Sequence, residues 1–286
     1  MHNLITIIHS SLNRQQDGTT QIGKGVAGME IARRTDIGRV RDLNEDSTGL
    51  LQVKAGSIIA VLADGMGGHQ AGDVASQKAV EEITNYLQSA DLDLATEEKG
   101  EQLLLAVGTA NNSVYKLASQ NSQFKGMGTT VVTAIVDTKE VVLAHVGDSR
   151  AYMLHKGGLY QLTEDHSYVN LLKRLKQITE EEARNHPQRN MLVRAVGTNK
   201  EVEVDLIDTP WIKDDILLLC SDGLTSMISE RDIGIVLSNT SMSIDQKADQ
   251  LIQMALDAGG KDNISLILIK HTGSSKIQMA QPHNWG

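Results

Sequence analysis

The 286-residue chain carries 36 acidic against 27 basic side chains for a formal charge of −9, with 40% apolar and 22% charged residues. That is enough for a proper core, and it excludes wholesale disorder and the basic stripe that nucleic-acid binding needs. One cysteine, Cys220, rules out an internal disulfide framework and fits a reducing compartment. Along the chain, residues 1–28 are polar, hold Gly18, Gly23, Gly25 and Gly28 and show no period, which predicts a flexible arm. The apolar stretch Leu4 to Ile8 is too short and wrongly flanked for a signal peptide, and no run reaches the ~20 apolar residues of a membrane span. A cytoplasmic protein without membrane association is expected. Gly18 to Lys24 matches most of a P-loop, but Gly25 stands where Ser or Thr must hold magnesium, and no helical pattern follows, so it reads as a chance match.

A first β-branched run, Ser57 to Ala63, predicts a strand. Helices are predicted over Ala71–Ser89, where Ala75, Ala79, Ile83 and Leu87 fall on one stripe, and over Glu97–Asn121, which repeats the spacing with Leu103, Val107, Val114 and Leu117. Three strands follow at Thr129–Val136, Val141–Val146 and Ala151–Leu154. From about Asp165 to Asn190 two charged helical pieces, Tyr168–Lys176 and Thr179–His186, interrupt the strands, and Glu182 three residues after Thr179 signals a capping box. A strand at Ile216–Cys220, helices at Ser229–Ser238 and Ile244–Ala258 and a strand at Ile264–Ile269 complete the body, ahead of a second flexible segment, residues 272–286. With no linker or repeat between, residues 29–271 read as one domain of layered α+β class.

Asp64 and Asp222 each end an apolar strand and precede a glycine, Asp262 precedes Asn263 and the last strand, and Asp148 follows Gly147. Any single Asp-Gly is compatible with a plain turn. Four isolated carboxylates at the mouths of apolar layers carry a desolvation cost that a cation or a hydrogen-bond network must offset, and their convergence points to a metal. All-oxygen donors without His-rich or Cys-rich spacing select Mg²⁺ or Mn²⁺ over zinc. Two such ions about 3.5–4 Å apart can activate a water in line with a phosphorus atom. Cys220 lies in an apolar run with no arginine in the loop that follows, which argues against a cysteine-based phosphatase.

Seven ordered segments carry a resemblance: Arg41-Asp42-Leu43-Asn44-Glu45-Asp46, Asp64-Gly65-Met66-Gly67-Gly68-His69, Gly128-Thr129-Thr130, Val146-Gly147-Asp148-Ser149-Arg150, Leu162-Thr163-Glu164-Asp165-His166-Ser167, Ser221-Asp222-Gly223 and Asp262-Asn263. Together they resemble the metal-dependent type-2C serine/threonine protein phosphatases in their compact bacterial form. The resemblance implies a four-layer α-β-β-α sandwich, two mostly antiparallel sheets flanked by helices, with residues 165–190 as a helical flap. It implies hydrolysis of phosphoserine and phosphothreonine esters on proteins, by a hydroxide activated at a dinuclear Mn²⁺ or Mg²⁺ centre with a weaker third ion. By the same comparison Asp64 bridges two ions, the Gly65 carbonyl ligates one, and Asp222 and Asp262 hold the other. Glu45 and Asp46 act mainly through bound water, and Asp148 with Asp222 forms the third site. Arg41 matches the phosphate-binding arginine, whose planar fork suits two oxygens at once.

The sequence departs from that pattern at Met66, where relatives from higher organisms place a candidate acid histidine, which leaves His69 or a water as proton donor. It departs again at Lys176, where relatives often carry glycine. His145 and His166 read as a strand histidine and a loop cap. Expected partners are phosphorylated proteins, including a serine/threonine kinase or its substrates, acted on by a monomer. A phosphoprotein-binding module on the same scaffold and a small-molecule phosphoesterase are the alternatives.

Overall fold

The computed structural model describes residues 28–53, 56–68 and 71–273. The arm and tail expected at the two ends fall almost wholly outside the described residues. The order is β1 (Met29–Asp36), β2 (Asp46–Gln52), β3 (Ile58–Met66), α1 (Ala71–Ser89), α2 (Thr96–Gln120), β4 (Gly128–Thr129), β5 (Val131–Val136) and β6 (Glu140–Val146). There follow β7 (Arg150–His155), β8 (Gly158–Gln161), α3 (Tyr168–Arg174), α4 (Glu180–Arg184), β9 (Asp205–Pro210) and β10 (Ile216–Cys220). The described chain closes with α5 (Asp222–Thr225), α6 (Glu230–Ser238), α7 (Ile244–Asp257) and β11 (Ile264–His271). One sheet runs β1-β11-β10-β7-β8, the other β2-β3-β5-β6-β9 with β4 on β3. All of their pairings are antiparallel.

Strand period 2 sorts the apolar side chains into three cores and so builds the four layers. On β3, Ile59, Val61 and Ala63 face the helices and pack with Ala79, Ile83, Leu103 and Val107 of α1 and α2. The alternate residues Ile58, Ala60 and Leu62 meet Leu217, Leu219, Ile267 and Ile269 of the opposite sheet. On β10 the other parity, Ile216, Leu218 and Cys220, packs beneath α6 and α7 with Ile233, Leu237, Ala248 and Leu251. Residues buried on both faces of a strand have no solvent side, hence the unbroken apolar runs in the sequence.

The periodic runs did not reveal β1, β2, β8 and β9, and these four are the edges of the two sheets. Edge strands are half-exposed and mix polar residues into the run, as in Asp205-Leu206-Ile207-Asp208-Thr209-Pro210, whose burial alternates residue by residue. Pro210 is tolerated at an edge because its missing N–H costs no interior ladder bond.

In the flap, Ser167 caps α3 by accepting the Asn170 N–H, and Thr179 and Glu182 cap α4 reciprocally, Thr179 N–H reaching Glu182 Oε2 at 2.7 Å. Helix α3 ends in a Schellman motif: Gln177 N–H donates to Leu172 O at 2.9 Å and Lys176 N–H to Lys173 O at 2.8 Å. That motif places Lys176 at φ 55, a left-handed position that a glycine occupies without Cβ crowding. Lys176→Gly is therefore expected to stabilise the α3 terminus by roughly 0.5–1 kcal/mol, read as slower hydrogen exchange at Gln177, with Lys176→Ala giving no such gain.

Candidate metal centre

The inter-sheet layer is apolar along most of its length and turns polar at one end, on the same side-chain parity. Beyond Ile58, Ala60 and Leu62 on β3 comes Asp64; beyond Leu217 and Leu219 comes Ser221. Inward from Ile267 and Ile269 comes Ser265; before Val132 and Ala134 comes Thr130. Asp46 pairs directly with Asp64 across β2 and β3, so both carboxylates project from one face of the sheet. The polar end is therefore a seam between the sheets, floored by small hydroxyl residues and lined by acids.

Hydrogen bonds fix the acid-bearing segments to one another. Asp46 Oδ2 accepts from Ser221 Oγ at 2.8 Å, and Ser221 Oγ in turn accepts the Ser265 N–H at 3.0 Å. The Asp64 backbone is held on both sides: its N–H donates to Thr130 Oγ1 at 2.9 Å, and its carbonyl accepts Thr130 N–H at 2.8 Å and Thr129 Oγ1 at 2.9 Å. Asn263 ties the loop before β2 to β11, accepting Glu45 N–H on Oδ1 and donating through Nδ2 to Ile37 O and Leu43 O, each at 2.9 Å. Glu45 lies against the start of α1, where a Cβ on Gly72 would strike its carboxylate, and a Cβ on Gly223 would strike the Asn263 carbonyl. These two close approaches require glycine.

The acids destabilise one another's charged forms. Burial first, then the charges of Asp46, Asp222, Asp148 and Asp262, pushes Asp64 well above the usual carboxylate range. Burial likewise pushes Asp46 up to about 7, Asp148 to about 8 and Asp222 to about 6, with neighbouring aspartates adding to each. Glu45 is also raised by burial. Glu45 Oε1 and Asp46 Oδ1 are buried with no hydrogen-bond partner. Unpartnered acceptors beside mutually repelling carboxylates suit divalent cations with oxygen ligands, and the residues present fit such ions.

Of the residues singled out by sequence, the charges of Asp46, Asp148, Asp222 and Asp262 all act on Asp64, and Gly65 follows Asp64 with its N–H bonded to Glu45 O at 3.1 Å. Arg41 reaches the same place: its Nη2 donates to Asp262 Oδ2 at 2.8 Å, and it senses Glu45 and Asp64. His69 lies outside the described residues. Sequence reasoning assigned no role to Thr130, Ser149, Ser221, Ser265 or Asn263, although the first four continue the parity of the buried strands. Asp165 was also passed over. It grips Arg150 through two bonds, Nε to Oδ1 at 2.7 Å and Nη2 to Oδ2 at 2.6 Å, and its charge reaches Asp148 and Asp222. Cys220 is fully buried, which pushes its thiol up to about 12 and leaves it inert.

A second group of ligand-type atoms, from His145, His166 and Asp205, lies within 4.8 Å of one another. Here a cation is already supplied: Arg194 Nη1 sits 2.6 Å from Asp205 Oδ1. His166 Nδ1 accepts the Gly147 N–H at 3.0 Å, so a neutral ring carries its proton on Nε2, the atom facing Asp205. This group is a hydrogen-bonded support and not a metal site.

The family model of protein phosphatase 2C matches residues 38–265. The serine/threonine phosphatase stp of Listeria welshimeri is 44% identical over 242 residues, covering 85% of this chain and 96% of that protein. The crystal structure of the serine/threonine phosphatase Stp1 from Staphylococcus aureus superposes with a TM-score of 0.81 at 39% identity, covering 92% of this chain and 100% of the other. The catalytic domain of serine threonine protein phosphatase PstP in complex with 2 manganese ions gives 0.75 at 33% identity, covering 86% and 99%. By the family-model match over residues 38–265, the identity to these relatives and the superposition of its sandwich on theirs, the chain belongs to the protein phosphatase 2C family and is a metal-dependent serine/threonine protein phosphatase.

Proposed function

We propose that this phosphatase depends on a pair of Mn²⁺ or Mg²⁺ ions that Asp64, the Gly65 carbonyl, Asp222 and Asp262 would hold in the seam, with Glu45 and Asp46 as further acidic residues of the same site. Asp148 and Asp222 would hold a third, weaker ion. The observation that carries this reading is the set of buried acceptors, Glu45 Oε1 and Asp46 Oδ1, left without partners among carboxylates that repel one another. When bound, the ions supply the positive charge that acidifies a water and polarises the phosphoryl oxygens.

The chain's own residues do the rest. Arg41 already stands at the rim on Asp262 and is 47% exposed, so its fork can exchange that carboxylate for two phosphate oxygens and orient the ester. Asp46 and Asp64 keep their aim through Ser221, Thr129 and Thr130. His69 is proposed as proton donor to the leaving alkoxide. The catalytic domain spans residues 29–271 with the flap at about 165–190, and the enzyme acts as a cytoplasmic monomer on phosphoproteins that include a serine/threonine kinase or its substrates. Among the described residues no helix is long and apolar enough to cross a membrane.

Removing the metal with EDTA and restoring Mn²⁺ or Mg²⁺ should abolish and recover hydrolysis of para-nitrophenyl phosphate. Asp64→Ala or Asp222→Ala should lower Mn²⁺-dependent turnover at least roughly a hundredfold; near-normal rates in either would refute the ligand assignment. Arg41→Ala should raise KM at least roughly tenfold, since the fork's charge-assisted hydrogen bonds to phosphate are lost, and an unchanged KM would remove its phosphate role. For His69→Ala the loss should shrink on esters with good leaving groups.

The same carboxylates set a pH dependence for the stripped protein. Raised groups hold protons more tightly folded than unfolded, where aspartate titrates near ~4. From there up through their folded values of about 6, 7 and 8 the folded state binds the extra protons, and stability falls as pH rises. In EDTA the melting temperature should therefore drop between about pH 5 and 8, and Mn²⁺ should lift it most at the upper end. A flat profile in EDTA would count against a crowded acidic seam.

A further inference from the structure

Asp148 is presented by a turn, and one residue grips the peptide just before it from both sides. The His166 backbone N–H donates to Gly147 O at 2.7 Å, while the Gly147 N–H donates to Nδ1 of the same histidine at 3.0 Å. Gly147 sits at φ 113, and a Cβ there would overlap Thr130, so no side chain at this position could do the holding itself. With Nδ1 accepting, the neutral ring carries its proton on Nε2 and donates to Asp205 Oδ2 at 3.1 Å. Asp205 is anchored by Arg194, whose Nη1 also lies 3.0 Å from Nε2 as both donors converge on that carboxylate, and Arg194 Nη2 bonds Glu203 at 2.8 Å. Burial lowers the pKa of His166, and the His145 ring packs on it at 4.7 Å, itself neutral because burial pushes it down to about 4.

We propose that His166 is a positioning residue for Asp148: held in one tautomer by Asp205, its Nδ1 fixes the Gly147 peptide and thereby the aim of Asp148 at the weaker cation position. This rests on the reading of Asp148 as a ligand for that position. The role belongs to Nδ1 and not to the ring as filler. An asparagine places an amide oxygen near Nδ1 and can keep the bond, whereas a glutamine places its polar end near Nε2 and cannot.

The test is Mn²⁺ binding to the metal-stripped full chain, followed by electron paramagnetic resonance for the parent, Asp148→Ala, His166→Gln, His166→Asn and Asp205→Ala. Asp148→Ala should lose the weakest binding class. His166→Gln should weaken that class about tenfold, in the range for a residue supporting a ligand, leaving the tighter classes unchanged, and His166→Asn should stay within about twofold of the parent. Asp205→Ala, at a position partly open to solvent, frees the tautomer and should weaken the same class several-fold, which keeps the test available if His166→Gln does not fold. If Asp148→Ala loses the class while His166→Gln and Asp205→Ala bind as the parent does, the positioning role is wrong. If His166→Gln and His166→Asn lose all classes equally, in step with melting temperature, His166 is only structural. If Asp148→Ala retains every class, the ligand reading of Asp148 falls, and the positioning role with it.

Discussion

Like charges brought together in a water-poor seam repel, and this repulsion is the constraint around which the polar end of the sandwich is organised. Left alone, such acids would take up protons or push the sheets apart. The structure opposes this by holding the acid-bearing segments through their backbones. Asp64 is held at its N–H and carbonyl, and the loop before Asp46 is pinned by Asn263. The carboxylates themselves are left with few internal partners, and a side chain with unspent acceptor capacity is what a cation of oxygen preference needs.

The supporting residues are small for a geometric reason. A seam only one side chain deep between two sheets cannot admit long polar residues, so Ser, Thr and Asn supply hydrogen bonds at short reach, and bare backbone supplies the rest. Arg150 and Asp165, which need length, stand to the side, where their two-pronged pair braces the turn carrying Asp148 from the sheet of β7.

Legibility in the sequence followed burial. Strands β3, β5, β6, β10 and β11 lie inside their sheets and read as continuous apolar runs, and α1 and α2 announce themselves by four-residue spacing. The edges β1, β2, β8 and β9 did not, because a strand with one free side carries polar residues that dilute the pattern; β1 alone contains Glu30, Arg33, Arg34 and Asp36. At the site, an aspartate beside a glycine at the end of an apolar run was visible without coordinates. The hydroxyl floor was not, since Thr130 or Ser265 beside a buried strand looks like an ordinary strand end until the facing sheet is present. The parity of each residue was the available clue, and it acquires meaning only when two strands from different sheets are set against each other.

The first and last described strands are neighbours: β1 pairs along its whole length with β11, Met29 opposite His271. Asp262 and Asn263 immediately precede β11, so the strand that pairs with β1 also brings an acid and its anchor to the seam. With the first and last described strands side by side, the fold could be rejoined there and reopened at an exposed loop tip without disturbing the described ladders.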